Sequence, residues 1–155
     1  LIEVSPEKIE RAVLVVPSGI KNDISVSILT MLFNLFAYRL TKNESYLIKT
    51  ALYLTATSER SSLDEHILAV LKDSFDHVKM RAGMPSNISK KGASRYNAPI
   101  LVMAAEKDCF FPAKKVLPRA KEISKHCKTY ELTARGHLSA LTMEEQEIII
   151  DFLRG

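Results

Sequence analysis

The stretch APILVMAAEKDCFFP, Ala98 to Pro112, decides how the rest of the chain is read. Its short, continuous apolar run has no alternation, the pattern of a strand covered on both faces of a parallel sheet. The run stops abruptly on Glu106, Lys107 and Asp108. Further on, KTYELT (Lys128–Thr133) alternates Tyr130 and Leu132 with polar neighbours, and ARGHLSAL (Ala134–Leu141) follows with the pair Gly136–His137. An acid just past one strand and a histidine just past the next reach the same rim if the strands are parallel neighbours. In such sheets ligand chemistry gathers at the carboxyl ends of the strands. A carboxylate there accepts a hydrogen bond from one ring nitrogen and fixes the tautomer; the other nitrogen then takes a proton from a nucleophile. Asp108 and His137 are therefore the candidate catalytic pair.

Working outward, RAVLVVPSGI (Arg11–Ile20) reads as a first strand buried on both faces and ended by Pro17 and Gly19. Three helices are expected next, over about 24–40, 45–57 and 63–77, the last opened by a capping box of Ser62 with Glu65. In the first, Ile24, Ile28, Leu29, Leu32, Phe36 and Leu40 hold one face at helical spacing, and Met31, Phe33 and Leu35 widen it. A helix so apolar is buried on nearly every side or faces an apolar ligand. AGMPSNISKKGASRYN (Ala82–Asn97) is a polar connection, mobile by composition. After the strand ending at Ala105, a helix over about 113–125 carries Pro118, which predicts a break or a fresh first turn. Thr142 with Glu145 predicts a capping box opening the final helix, to Leu153. Strand, helices, strand, helix, strand, helix is the rhythm of an α/β fold with a parallel sheet.

Composition narrows the functional classes. A chain of 155 residues with 46% hydrophobic and 26% charged residues can bury one globular core. The net charge of +4 is spread among acids rather than gathered in a stripe, so nucleic acid is not an expected partner. The longest uncharged run, Ile24 to Tyr38, is shorter than the roughly 18 apolar residues of a membrane span and contains Ser, Thr and Asn. Cys109 and Cys127 have no CxxC spacing and no His/Cys cluster, so neither a metal site nor a disulfide framework is expected and the setting is read as reduced and cytoplasmic. Cys109 reads as a small buried filler, His126 as a solvated residue at a helix end, and His66 and His77 as surface residues. No cofactor is indicated.

The segments PILVMAAEKDCFFP, LPRAKEI and KTYELTARGHLSALTMEEQEIIIDFL together resemble the C-terminal part of an α/β-hydrolase, in which the acid follows the penultimate strand and a Gly-His pair follows the last. The resemblance implies that residues 1–155 are part of one such domain: about three parallel strands with flanking helices, a helical cap inserted over 23–96, and an acid/His segment over 97–155. It implies that Asp108 and His137 are two members of a triad whose nucleophile precedes both in the chain.

No G-x-S-x-G elbow occurs in the sequence. Ser18 follows a strand, but Val16, Pro17 and Ile20 do not suit that tight turn. Ser94 follows Gly92, yet leaves no room for the helix that an elbow needs before the next strand. The expectation is that the nucleophile lies upstream of Leu1 and that this chain is a truncated form. The resemblance then implies a carboxylesterase acting on a small apolar ester, with an aspartate-nucleophile epoxide hydrolase or dehalogenase as the alternative. A non-catalytic module is the other alternative: the strand at residues 12–16 lacks a neighbour and invites the missing half, or a second copy of the chain, to pair with it.

Overall fold

The computed structural model describes residues 5–22, 27–77, 79 and 86–155. Three parallel strands, β1 (Ala12–Val15), β2 (Ile100–Ala105) and β3 (Cys127–Leu132), form one sheet in the order β1-β2-β3. Ala12 pairs with Ile100, and Ile100 with Cys127. Helices α1 (Ser27–Thr41), α2 (Ser45–Thr55) and α3 (Glu65–His77), then the short α4 (Lys90–Ala93), lie between β1 and β2. The crossover from β2 to β3 is α5 (Ala113–Ile123), and α6 (Met143–Arg154) follows β3. The chain is thus of the α/β class read from its sequence.

The central strand β2 is buried at every position. Its side chains alternate between two cores, as a period of two requires. Ile100, Val102 and Ala104 pack with Val116, Ala120 and Ile123 of α5, while Leu101, Met103 and Ala105 pack with Leu132 and Phe152 of α6. Each large apolar side chain so removed from water contributes about 1.5–3 kcal/mol. The strand β1 departs from the expectation of burial on both faces: none of its residues is fully buried, and Val15 is 40% exposed. Among the described residues β1 has a strand on one side only, so it is an edge and lacks the cover that β2 receives. It also stops one residue early, because Val16 turns to φ 47°.

The apolar face of α1 is not the one that helical spacing selected. Leu29, Phe36 and Leu40 are 70%, 59% and 86% exposed, whereas Leu35 and Tyr38 are buried. Ile24 lies outside the described residues. The buried face carries polar groups that counting apolar residues overlooks. Asn34 donates to Thr50 Oγ1 of α2 at 3.2 Å, and the Tyr38 hydroxyl donates to Asp76 of α3 at 3.2 Å. Each polar group finds its partner on a neighbouring helix, so its burial is offset.

Other boundaries move for local reasons. α2 ends at Thr55 because Ala56 adopts the left-handed conformation. Asp64 rather than Ser62 opens α3, accepting from the His66 amide at 2.7 Å, while Ser62 closes a 3-10 turn. Pro118 does not break α5; it sits on the exposed face, where solvent can take the carbonyl its missing N–H leaves free. The stretch expected to be mobile carries α4, capped by Ser89 accepting from Gly92, and buries Ala93 and Tyr96; residues 82–85 lie outside the described residues. The box at Thr142 and Glu145 forms as expected, with both reciprocal bonds present. Among the described residues no helix is long and apolar enough to cross a membrane.

The two faces of α1 separate in stability. Leu35→Ala should cost about 2–5 kcal/mol by urea denaturation, and Leu40→Ala should stay within about 0.5 kcal/mol of the parent. Equal losses would contradict the arrangement described.

Candidate functional site

The end of β2 builds the first half of the site. After Ala105 the chain turns, and Asp108 folds its carboxylate back over the residues that follow. Its Oδ1 accepts from the amides of Phe110 at 2.7 Å and Phe111 at 2.9 Å, an Asx-type turn that any strand-ending Asp can make. Its Oδ2 faces His137 Nδ1 at 3.0 Å. The carboxylate is wholly removed from solvent, while the His137 side chain keeps 25% exposure. Burial alone would push the Asp108 carboxyl up; the hydrogen bonds from His137, Phe111 and Phe110 outweigh it and hold the group below the usual carboxylate range. An ionised carboxylate only accepts, so the shared proton sits on Nδ1. The rings of Phe110 and Phe111 flank the imidazole, with centroids 5.1 and 5.5 Å away. The imidazole is therefore held in one orientation between apolar walls.

The β3 side is held by residues that the sequence reading passed over. Glu106 Oε2 accepts from the amide of Ala134 at 2.7 Å, which turns the chain at φ 59°. The Lys107 amide donates to the carbonyl of Arg135 at 2.8 Å. Arg135 pairs with the buried Glu145 at 3.0 Å and also donates to the carbonyl of Ala140. The His137 loop is thus laced to both the end of β2 and the start of α6. Only the capping-box signal of Glu145 was visible in sequence, and it does not reveal the Arg135 contact.

The remaining candidates are not gathered here. Ser94 donates to the carbonyl of Lys91, and Ser18 is exposed in the turn after β1. Among the described residues no serine hydroxyl hydrogen-bonds to His137. His66 and His77 are exposed on α3, and His126 is exposed in the turn before β3 rather than on the helix. Burial, followed by the neighbouring Asp108 charge, pushes the Cys109 thiol up to about 11, so it stays protonated near neutrality. Among the described residues no group of three or more His, Cys, Asp or Glu side chains is arranged to hold a metal. A cavity of about 710 Å³ opens between α2 and the Glu106–Pro112 loop, reaching Asp108 but not His137.

The carboxylate's depressed pKa gives a pH signature. Because the folded value lies below the unfolded one, Asp108 contributes stability that is complete above about pH 4 and is lost as pH falls through the folded value. Asp108→Asn should lower stability by about 1–3 kcal/mol at pH 7 and remove this part of the acid limb. Thermal unfolding followed from pH 7 to pH 2 checks it, and an unchanged limb would exclude Asp108 as its source.

No family model and no curated protein matches the chain. Solved structures do. The 2-hydroxy-6-oxo-6-phenylhexa-2,4-dienoate hydrolase of Rhodococcus sp. strain RHA1 matches 100% of this chain and 59% of its own at 18% identity, with a TM-score of 0.64. A carboxylesterase from Bacillus subtilis matches 98% of this chain and 54% of its own at 18% identity and TM-score 0.70. A naproxen esterase from the same organism matches 99% and 53% at 13% identity and TM-score 0.67. The likeness is one of fold, and by it the chain has an α/β-hydrolase fold, spanning 53–59% of the length of these three hydrolases.

Proposed function

We propose that Asp108 and His137 are the acid and the base of a hydrolase triad whose nucleophile is supplied by a segment outside this sequence. The observation that carries the reading is the 3.0 Å contact between His137 Nδ1 and a carboxylate with no solvent exposure. In this reading Nε2 takes the proton of a serine as it attacks a carbonyl carbon and later returns a proton to the leaving alcohol. Asp108 orients the ring and stabilises the imidazolium in between. Water then hydrolyses the acyl-enzyme by the same proton transfers. The oxyanion donors belong to the segment that brings the nucleophile.

A carboxylesterase acting on an apolar ester is the activity we favour. Phe110 and Phe111 line the imidazole, and the helical segment α1–α3, which we take as the cap over about residues 23–96, presents Leu29, Phe33, Phe36 and Leu40 as uncovered apolar surface. Both features suit an apolar acyl or alcohol portion. An aspartate nucleophile would use the same pair in an epoxide hydrolase or dehalogenase. The side of β1 left without a strand among the described residues supports a further strand at residues 12–15, from the nucleophile-bearing segment or from a second copy of the chain.

Two measurements test the reading. The 155-residue chain should hydrolyse a nitrophenyl ester no faster than its His137→Ala variant; a robust rate that depends on His137 would place the nucleophile inside the chain and return attention to Ser18. In a protein that also carries a strand followed by G-x-S-x-G upstream, His137→Ala should lower kcat by roughly 10³-fold or more. An unchanged kcat there would end the acid-base assignment.

A further inference from the structure

Glu106, Lys107 and Asp108 hold the His137 loop to the end of β2, and Glu145 holds it to the start of α6; a further bond comes from the helical segment. The amide of Leu138 donates to the carbonyl of Leu54 at 3.0 Å. Beside it, Gly136 lies so close to the end of α2 that a methyl group there would overlap the Leu54 carbonyl oxygen and stand 2.7 Å from the amide nitrogen of Ala56. Only a residue without a side chain allows this approach. α2 prepares the contact by the way it ends. Ala56 turns left-handed at φ 57°, its amide returns to Tyr53 at 3.3 Å, and the amide of Thr57 reaches Leu52 at 3.1 Å. These bonds satisfy the carbonyls of Leu52 and Tyr53 in the last turn. The next carbonyl, that of Leu54, is left for the His137 loop.

We propose that the C-terminal turn of α2, through the Leu54 carbonyl and its contact with Gly136, is a positioning element for His137. It rests on the reading of Asp108 and His137 as acid and base. The loop that carries the imidazole is then held at one point by the Asp108 carboxylate and on either side of His137, at Gly136 and Leu138, by the end of a cap helix. Displacing that helix end draws Nδ1 away from Asp108, so this end of the cap and the base move together. Gly136 earns its place by steric need at this contact, independent of the dihedral freedom that glycine offers in a turn.

The test uses the 155-residue chain and NMR. A His137 Nδ1 proton held by a buried carboxylate gives a downfield imidazole resonance, assigned by its loss in His137→Ala. Gly136→Ala pushes the loop off α2 from one side. Ala56→Val disturbs the same contact from the other, because a β-branched residue resists φ near 57°. Ala56→Gly accepts that angle freely. In folded Gly136→Ala and Ala56→Val chains the resonance should broaden or vanish, and exchange of the Leu138 amide should accelerate by about tenfold or more. Ala56→Gly should leave both as in the parent, an outcome that a general loss of helix stability would not produce. If Gly136→Ala does not fold, the two Ala56 variants decide. Retention of the resonance and of slow exchange in folded Ala56→Val would overturn the proposal. Failure of the acid-base reading shows separately, as an unchanged kcat for His137→Ala in the nucleophile-bearing protein despite a normal resonance here.

Discussion

A carboxylate with no access to water has to be answered on every lone pair it uses, and at Asp108 the answers come from two directions. The amides of Phe110 and Phe111 belong to its own turn, so that part of the cage forms wherever the end of β2 folds. The imidazole of His137 comes from the next strand, and its arrival depends on β2 and β3 being parallel neighbours in register. Removing one partner from a buried charge costs far more than an average hydrogen bond contributes. The sheet order, the Glu106 link to Ala134 and the Arg135–Glu145 pair all keep that partner in place. The same requirement orients the histidine: a ring that must give Nδ1–H to Asp108 leaves Nε2 as its only acceptor.

What could be read from the sequence follows from how local each signal is. The continuous run of β2 and the acids at its end announce themselves because a strand buried on both faces has no alternation to confuse it. Thr142 and Glu145 cap α6 within one turn, so that signal is complete in sequence. The α1 helix misled because its sequence offers two apolar faces. The choice between them was made by Asn34 and Tyr38, polar residues whose partners Thr50 and Asp76 lie on other helices. The burial of β1 was overestimated for a related reason: an apolar strand records its capacity for cover, whereas actual cover depends on neighbours. The bonds made by the Leu54 carbonyl and by the Glu106 side chain have no sequence signature, since each reaches a backbone group far along the chain.

The helical segment is tied together around one aromatic residue. Tyr38 is buried against Phe75 in an edge-to-face contact, with Lys42 and Lys72 over its ring and Asp76 at its hydroxyl. The two lysines are exposed and Asp76 is half-buried, so solvent screens much of their mutual attraction. The apolar body of Tyr38 carries the packing, and the polar rim fixes which way the three helices meet.

Ala12 and Ile100 are direct partners in the sheet although the whole helical segment separates them in the chain. Joining strands so distant in sequence is entropically slow when the intervening chain is loose. α1, α2 and α3 contact one another through short separations, so they can condense before the strands meet and shorten the effective tether between β1 and β2. On this view the insertion between the strands acts as a folding chaperone in cis. The contact of the His137 loop with the end of α2 then joins that insertion to the far end of the sheet.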